Sequence, residues 1–140
     1  MTRELHGHKS SEKDPLRILV IDQPGSGNAN HAYLITGMAG LMDNASTDMT
    51  MSYLEGEEIP RDETIGILFQ QGPIPDHGIN GVTIESLMEI CIDRLNGFQA
   101  GPFACDENQR ALDHLKASQQ VLLERTRARV ARGVEGKEVK

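Results

Sequence analysis

The sequence predicts an α+β fold, in which a small antiparallel β unit precedes a C-terminal antiparallel hairpin of two helices. Short runs rich in Ile, Leu and Val alternate with turn residues in the first half of the chain. The second half instead carries apolar residues at helical spacing, after a connector dense in Gly and Pro over 71–83. We therefore expect a flexible tail over 1–14, a β unit over 15–72 and a helical hairpin domain over 73–140.

The β unit contains three clear strand candidates and one weaker candidate. The clear candidates are 16–22, 31–37 and 64–70, and the weaker one is 49–56. The segment 24–31 is a turn or loop by composition, because Gly, Pro and Asn break regular structure. The tail before the first strand is polar and without periodicity, so it is expected to lie outside the fold.

An apolar stripe predicts the first helix of the hairpin. Its members recur at the spacing of one helix face: Ile84, Leu87, Met88, Cys91, Ile92, Leu95 and Phe98. Thr83 is a suitable N-cap, and Gly97, Gly101 and Pro102 are expected to end the helix. Because Cys91 belongs to the stripe, its thiol is expected to be buried.

A longer second helix is predicted from about residue 104 to 131, stopping at Gly133. Its apolar face carries Leu112, Leu115 and Leu122, and polar residues continue the same spacing: Asn108, Gln119, Thr126 and Arg129. At ~1.5 Å per residue this helix would be about 42 Å long and would outrun its partner. The unpaired stretch needs another surface to cover it, so we expect an oligomer.

Charge is distributed unevenly along the chain. The net charge is −7, yet residues 125–140 contain six basic and two acidic side chains. An acidic body argues against binding to a nucleic acid polymer, whereas a local basic cluster suits a small anionic ligand. No apolar run approaches a membrane span, and the first residues lack the apolar core of a secretion signal. A cytoplasmic protein is expected.

The residues provide no signature of metal, cofactor or catalysis. The loop with Gly25 and Gly27 lacks the third glycine of a dinucleotide loop. The five histidines are scattered without metal-ligand spacing, and His31 beside Tyr33 is the one of most interest. Neither cysteine has a catalytic signature. We expect no enzyme, no metal and no cofactor.

Two side-chain groups on the hairpin can serve a ligand or the fold. Arg125, Arg129 and Arg132 share one helix face, where they suit phosphate oxygens but also the helix macrodipole. Phe98 and Phe103 flank the interhelix turn, where either could stack on a purine or close the hairpin core. The residues alone leave both alternatives open.

Three segments together resemble the helical hairpin domain of phage anti-defence sponge proteins. They are FQQGPIPDHGINGVT, FQAGPFACDEN and ERTRARVARGVEG. Anti-CBASS sponges share this hairpin and are essentially helical, whereas Thoeris anti-defence sponges carry a β unit before it. Because this chain has a predicted β unit that includes DQPGSGNANHAYLI, it looks more like the Thoeris group. The resemblance covers roughly residues 18–136.

The resemblance implies a function that the residues alone do not. Such sponges bind cyclic nucleotide immune signals and hold them without cleavage, so that the defence effector stays inactive. Thoeris sponges bind glycocyclic ADP-ribose isomers, and some also bind cyclic di- or trinucleotides in separate pockets. They form dimers and hexamers with ligands at subunit interfaces. A signal-hydrolysing enzyme and a structural or DNA-binding phage protein are the alternatives.

The resemblance also implies roles for particular residues. Phe98 should stack on a base, Asn108 should hydrogen-bond the ligand, and Arg125 and Arg129 should hold its phosphates. Thr126 together with Arg129 should line a second pocket for cyclic trinucleotides. The chain departs from the family at Asp106, where relatives are expected to carry a basic residue, and this departure should weaken phosphate contact beside Asn108.

Overall fold

A computed structural model describes residues 2–44 and 59–133 of the chain. Contacts within the chain divide it into two compact units, Met1–Gln71 and Gly72–Lys140. The described part of the first unit contains a four-stranded antiparallel sheet, and that of the second contains a helical hairpin. The predicted α+β fold is therefore confirmed.

The sheet is a meander whose strands follow one another in space as they do in sequence. The strands are β1 (Arg3–Leu5), β2 (Arg17–Val20), β3 (Ala32–Thr36) and β4 (Ile65–Leu68), each antiparallel to its neighbour. The three clear strand candidates are thus confirmed, although each strand is shorter than predicted. The candidate at 49–56 lies outside the described residues.

Strand β1 corrects the expectation that residues 1–14 are only a flexible tail. Leu5 pairs with Ile18 of β2, and the Arg17 guanidinium donates to the Glu4 carboxylate at 2.8 Å across the two strands. That hydrogen bond lowers the pKa of the Glu4 carboxyl below its ordinary value. Three residues are too few to show a sequence period, so this strand is defined by its partner and not by its own pattern.

The sheet has a small aliphatic core. Leu19 of β2 lies directly opposite Leu34 of β3, both are buried, and Val20 is fully inaccessible. Beside this core, the hydroxyl of Thr36 pairs with that of Thr64 at 2.8 Å. The Thr64 hydroxyl also lies 2.7 Å from the Pro60 carbonyl oxygen, to which it donates, so these buried polar groups are paired as burial requires.

The described part of the second unit contains two long α-helices after one short one. Among the described residues, the first unit has the short α-helix α1 (Leu41–Asn44), and the second unit has α2 (Ile74–His77), α3 (Ile84–Gln99) and α4 (Asp106–Ala131). Thr83 caps α3 as predicted, through a reciprocal capping box with Ser86. In residues 2–44 and 59–133, no helix combines the length and the apolar character needed to span a membrane.

Two helix boundaries differ from the prediction. Gly97 lies inside α3, which runs on to Gln99 and ends at Ala100. A single glycine costs a helix only about 1 kcal/mol, which the packing of α3 against α4 outweighs. Helix α4 begins at Asp106 with Cys105 as its N-cap, slightly later than predicted.

The two helices of the hairpin bury a narrow line of side chains. Ile92 of α3 and Leu112 of α4 are buried, and so is the polar Gln119. The prediction for Cys91 is wrong: its thiol is exposed, although it belongs to the apolar stripe. Two helices in contact cover only the centre of each apolar stripe, so residues at its margins stay accessible.

Candidate ligand-binding site

An aromatic pair lies at the end of the hairpin where the turn joins α3 to α4. Phe98 lies in the last turn of α3 and is half-buried, whereas Phe103 in the turn is exposed. Their ring centroids are 6.5 Å apart at an interplanar angle of 77°, which is an edge-to-face contact. The Arg94 guanidinium lies 5.0 Å from the Phe98 centroid, a cation–π distance. The Phe98 ring is therefore held by contacts on two sides.

The Gln99 side chain holds the turn between α3 and α4. Its Oε1 accepts from the Cys105 amide at 3.0 Å, and its Nε2 donates to the Cys105 carbonyl at 3.1 Å. The same Nε2 lies 3.3 Å from Oε1 of Gln109. One side-chain amide thus pairs with both backbone groups of the α4 N-cap. Gln99 was not among the predicted site residues, because a glutamine at the end of a helix carries no sequence signal of such a role.

Asn108 lies in the first turn of α4, beside the aromatic pair. Its backbone amide donates to the Cys105 sulfur at 3.4 Å, and its Nδ2 donates to the Phe103 carbonyl at 3.3 Å. These contacts fix the half-buried amide so that Oδ1 is the remaining acceptor. Within the described part of the chain, Oδ1 accepts no hydrogen bond from protein, so it can accept one from a ligand.

Asp106 adds a negative charge near Asn108, as the sequence indicated. Its carboxylate pairs with Arg110 one turn later, at 3.0 Å, and both side chains are largely exposed. An exposed pair of this kind is worth little to stability, but it neutralises part of the charge that a phosphate would meet.

The other group of candidate residues lies in the C-terminal half of α4. Arg125 is exposed, whereas Thr126 and Arg129 are half-buried. The Nη2 atom of Arg125 lies 3.7 Å from Oε1 of Glu85, at the start of α3. That carboxylate is well covered, with 15 % of its side-chain surface accessible, whereas 58 % of the Arg125 side chain is accessible. The guanidinium therefore faces both the neighbouring helix and solvent.

The structure does not bring all five candidate residues together within one copy of the chain. Arg125 follows Asn108 by 17 residues on the same helix, which corresponds to about 25 Å along the axis. We call Phe98, Phe103 and Asn108 the turn group, and Arg125, Thr126 and Arg129 the basic group. The two groups lie too far apart for one nucleotide-sized ligand to contact both in a single copy.

His31, in the first unit, has a structural partner. The Asp22 carboxylate accepts from the His31 amide at 3.1 Å and lies 2.9 Å from its Nδ1, and it also accepts from the Asn30 side chain. Burial alone would raise the pKa of the Asp22 carboxyl, but hydrogen bonds from His31, Asn30 and Ala32 outweigh it and lower that pKa. Among the described residues, no group of three or more His, Cys, Asp or Glu could hold a metal.

Comparison with known proteins bears on the hairpin. A family model described as "Acb2/Tad1, hairpin domain" matches residues 61–126. Residues 61–126, just under half of the chain, are therefore similar to that hairpin domain. The matched segment includes Phe98, Asn108, Arg125 and Thr126, and the match ends just before Arg129.

A phage protein is also similar to this chain. The chain is 46 % identical over 68 residues to "Thoeris anti-defense 1" of Bacillus phage SBSphiJ7. The matched part is 49 % of this chain and 48 % of that protein, so the chain spans about half the length of the relative it matches. The resemblance to the Thoeris anti-defence sponge family that the sequence predicted is thus confirmed over the matched part of the chain.

Proposed function

We propose that this chain is a phage anti-defence sponge, which binds and sequesters cyclic nucleotide immune signals without cleaving them. Its proposed cargo is glycocyclic ADP-ribose isomers, with cyclic di- and trinucleotides as a second class. The observation that carries the proposal is the Acb2/Tad1 hairpin domain over 61–126, because this domain contains four of the five candidate residues. Sequestration in the host cytoplasm would keep Thoeris effectors, and CBASS effectors where the second class binds, inactive.

The turn group suits a nucleobase. An aromatic ring that is fixed in place offers a π-face on which a base stacks, a contact worth about 1–3 kcal/mol. The Asn108 Oδ1 supplies an acceptor beside that ring, which fits the exocyclic amine of an adenine. Stacking and one oriented hydrogen bond can bind a base, but they provide no group that would cleave it.

The basic group suits the phosphates. Arg guanidinium groups donate hydrogen bonds in a planar fork that matches phosphate oxygens, and their charge persists at every physiological pH. Arg125 and Arg129 are one turn apart on α4, so they can face adjacent phosphates of a pyrophosphate. The Thr126 hydroxyl, adjacent to Arg125, would add a neutral hydrogen bond in the second pocket.

A homo-oligomer is part of the proposal, because the two groups lie about 25 Å apart in one copy. A second copy packed antiparallel would place the turn group of one hairpin beside the basic group of the other. Apolar side chains exposed on α3 and α4 support such packing; they include Ile90, Val121 and Val130. A homodimer would complete two such sites, and a homohexamer would repeat them.

The experiment that tests the proposal is capture and release. The purified protein is mixed with a panel of glycocyclic ADP-ribose isomers and cyclic di- and trinucleotides, and free ligand is removed on a sizing column. The protein is then heat-denatured, and the released material is identified by chromatography. Intact ligand at a defined stoichiometry supports the proposal. Altered ligand would indicate a hydrolase, and an empty protein across the panel would contradict the proposal.

Single substitutions test the basic group directly. Arg125→Ala and Arg129→Ala should each weaken signal binding at least about tenfold, since a charge-assisted contact to phosphate is worth about 1.5–3 kcal/mol. Arg127→Ala is the matched control, because it removes the same charge from the opposite side of α4. Light scattering should show the same oligomer for all three variants. Equal affinity of all three variants and wild type would show that the assigned phosphate site is wrong.

A further inference from the structure

The Arg125 guanidinium already faces a carboxylate before any ligand arrives. Glu85 is the second residue of α3, and its Oε1 lies 3.7 Å from Arg125 Nη2. This separation is within ion-pair range but longer than a hydrogen bond, so the carboxylate attracts the guanidinium without saturating its donors. Within the described residues, this is the one ion pair that Arg125 makes.

Contacts between α3 and α4 hold the Glu85 carboxylate near Arg125. Gln119 of α4 is buried, and its Nε2 donates to the Glu85 carbonyl at 3.2 Å and to Glu89 Oε2 at 3.0 Å. These two bonds fix the first turns of α3 against α4. Because only 15 % of the Glu85 side-chain surface is accessible, the carboxylate has little room to turn away when an anion approaches.

We propose that Glu85 lowers the affinity of the basic group for anionic ligands, because its carboxylate competes with them for the Arg125 guanidinium. The inference deepens the proposed function and rests on it, because it concerns the same arginine. An incoming phosphate must either draw the guanidinium away from the carboxylate or bind it with the carboxylate nearby, and in both cases the charge of the carboxylate opposes binding. An anion that offers only phosphate oxygens is therefore held weakly, whereas a nucleotide that also makes base contacts overcomes the competition.

The test measures anion binding at Arg125 itself. Inorganic pyrophosphate is titrated into the full chain, and the side-chain ¹⁵N–¹H signal of Arg125 is followed by NMR. Glu85→Gln should bind pyrophosphate about two- to fivefold more tightly than wild type, the range expected from removing one partly exposed ion pair. Glu89→Gln is the matched control, since it removes an equal charge one turn along α3 and its amide oxygen can still accept from Gln119.

Each outcome decides for or against the competition. Tighter binding by Glu85→Gln with no change in Glu89→Gln supports it. Unchanged or weaker binding by Glu85→Gln overturns it, as does an equal gain in both variants, which would be a general charge effect. Glu85→Ala should show the same gain, and melting curves of all variants exclude a loss of fold as the cause.

The capture assay separates this inference from the proposed function. If no cyclic nucleotide is retained by any variant while Glu85→Gln still gains affinity for pyrophosphate, the proposed function fails and the competition is supported. If wild type retains a cyclic nucleotide and Glu85→Gln binds pyrophosphate no better, the competition is overturned and the sponge function is unaffected.

Discussion

Replacing Gln99 with leucine should loosen the turn that carries the aromatic pair. Leucine has nearly the same size as glutamine, but it can neither accept from the Cys105 amide nor donate to the Cys105 carbonyl and Gln109. The substitution therefore removes three hydrogen bonds with little change in volume. Phe98 and Asn108, on either side of this turn, would lose a fixed relative position.

The expected cost follows from the geometry. A typical intramolecular hydrogen bond contributes about 0.5–1.5 kcal/mol net to stability. The contact to Gln109 is long at 3.3 Å, and water can reach a half-buried side chain and replace part of what is lost. We therefore expect Gln99→Leu to lower the free energy of unfolding by about 1–2 kcal/mol, less than three full bonds would give.

Urea unfolding followed by circular dichroism at 222 nm measures this loss, since α3 and α4 dominate that signal. Gln120→Leu is the matched control, because it makes the same substitution at an exposed position of α4. The control should change the free energy of unfolding by less than about 0.5 kcal/mol. If Gln99→Leu unfolds at the same urea concentration as wild type, or if both variants lose the same stability, the role assigned to Gln99 is refuted.

Two further predictions concern the sheet. Thr64→Val should cost about 1–3 kcal/mol in urea unfolding, because it removes the side-chain partner of the buried Thr36 hydroxyl and one of the two hydrogen bonds to the Pro60 carbonyl. A change below about 0.5 kcal/mol would contradict this. Asp22 has a lowered pKa in the folded state, so the ionised carboxylate stabilises the fold. This contribution to the free energy of unfolding is fully present above the unfolded-state pKa of about 3.9. It is lost as the pH falls through the folded-state pKa. The stability difference between wild type and Asp22→Asn should therefore shrink as pH falls from about 6 to 3, and a constant difference would refute the assignment.

The spacing of apolar residues predicted most of the helices and strands. It failed where a structure depends on pairing with another strand or on packing against another helix. Strands β2, β3 and β4 and both long helices carry enough apolar residues to show their period. Strand β1 has three residues, and its partner lies more than ten residues later, so no local pattern could reveal it. Cys91 has the period of the stripe but lies at its margin, where one partner helix does not reach.

The candidate site was predictable only in part. Phe98, Asn108, Arg125, Thr126 and Arg129 were selected by resemblance to a family, since their residue types alone suit the fold as well as a ligand. Gln99 and Glu85 could not be selected this way, because their partners lie on the other helix or in the turn and are known only once the hairpin is closed.

Gln119 is the residue whose position in the sequence could have indicated the contact between Glu85 and Arg125. It occupies a position with the spacing of an apolar face, where leucine would bury more apolar surface and leave no amide to pair. Its buried amide holds Glu85 and Glu89 in place at the end of the hairpin where the arginines lie. On α4, the buried positions facing α3 are therefore apolar at Leu112 and polar at Gln119. A helix pair built this way holds Glu85 close to Arg125 before any ligand binds, and such preorganisation would suit the proposed sponge.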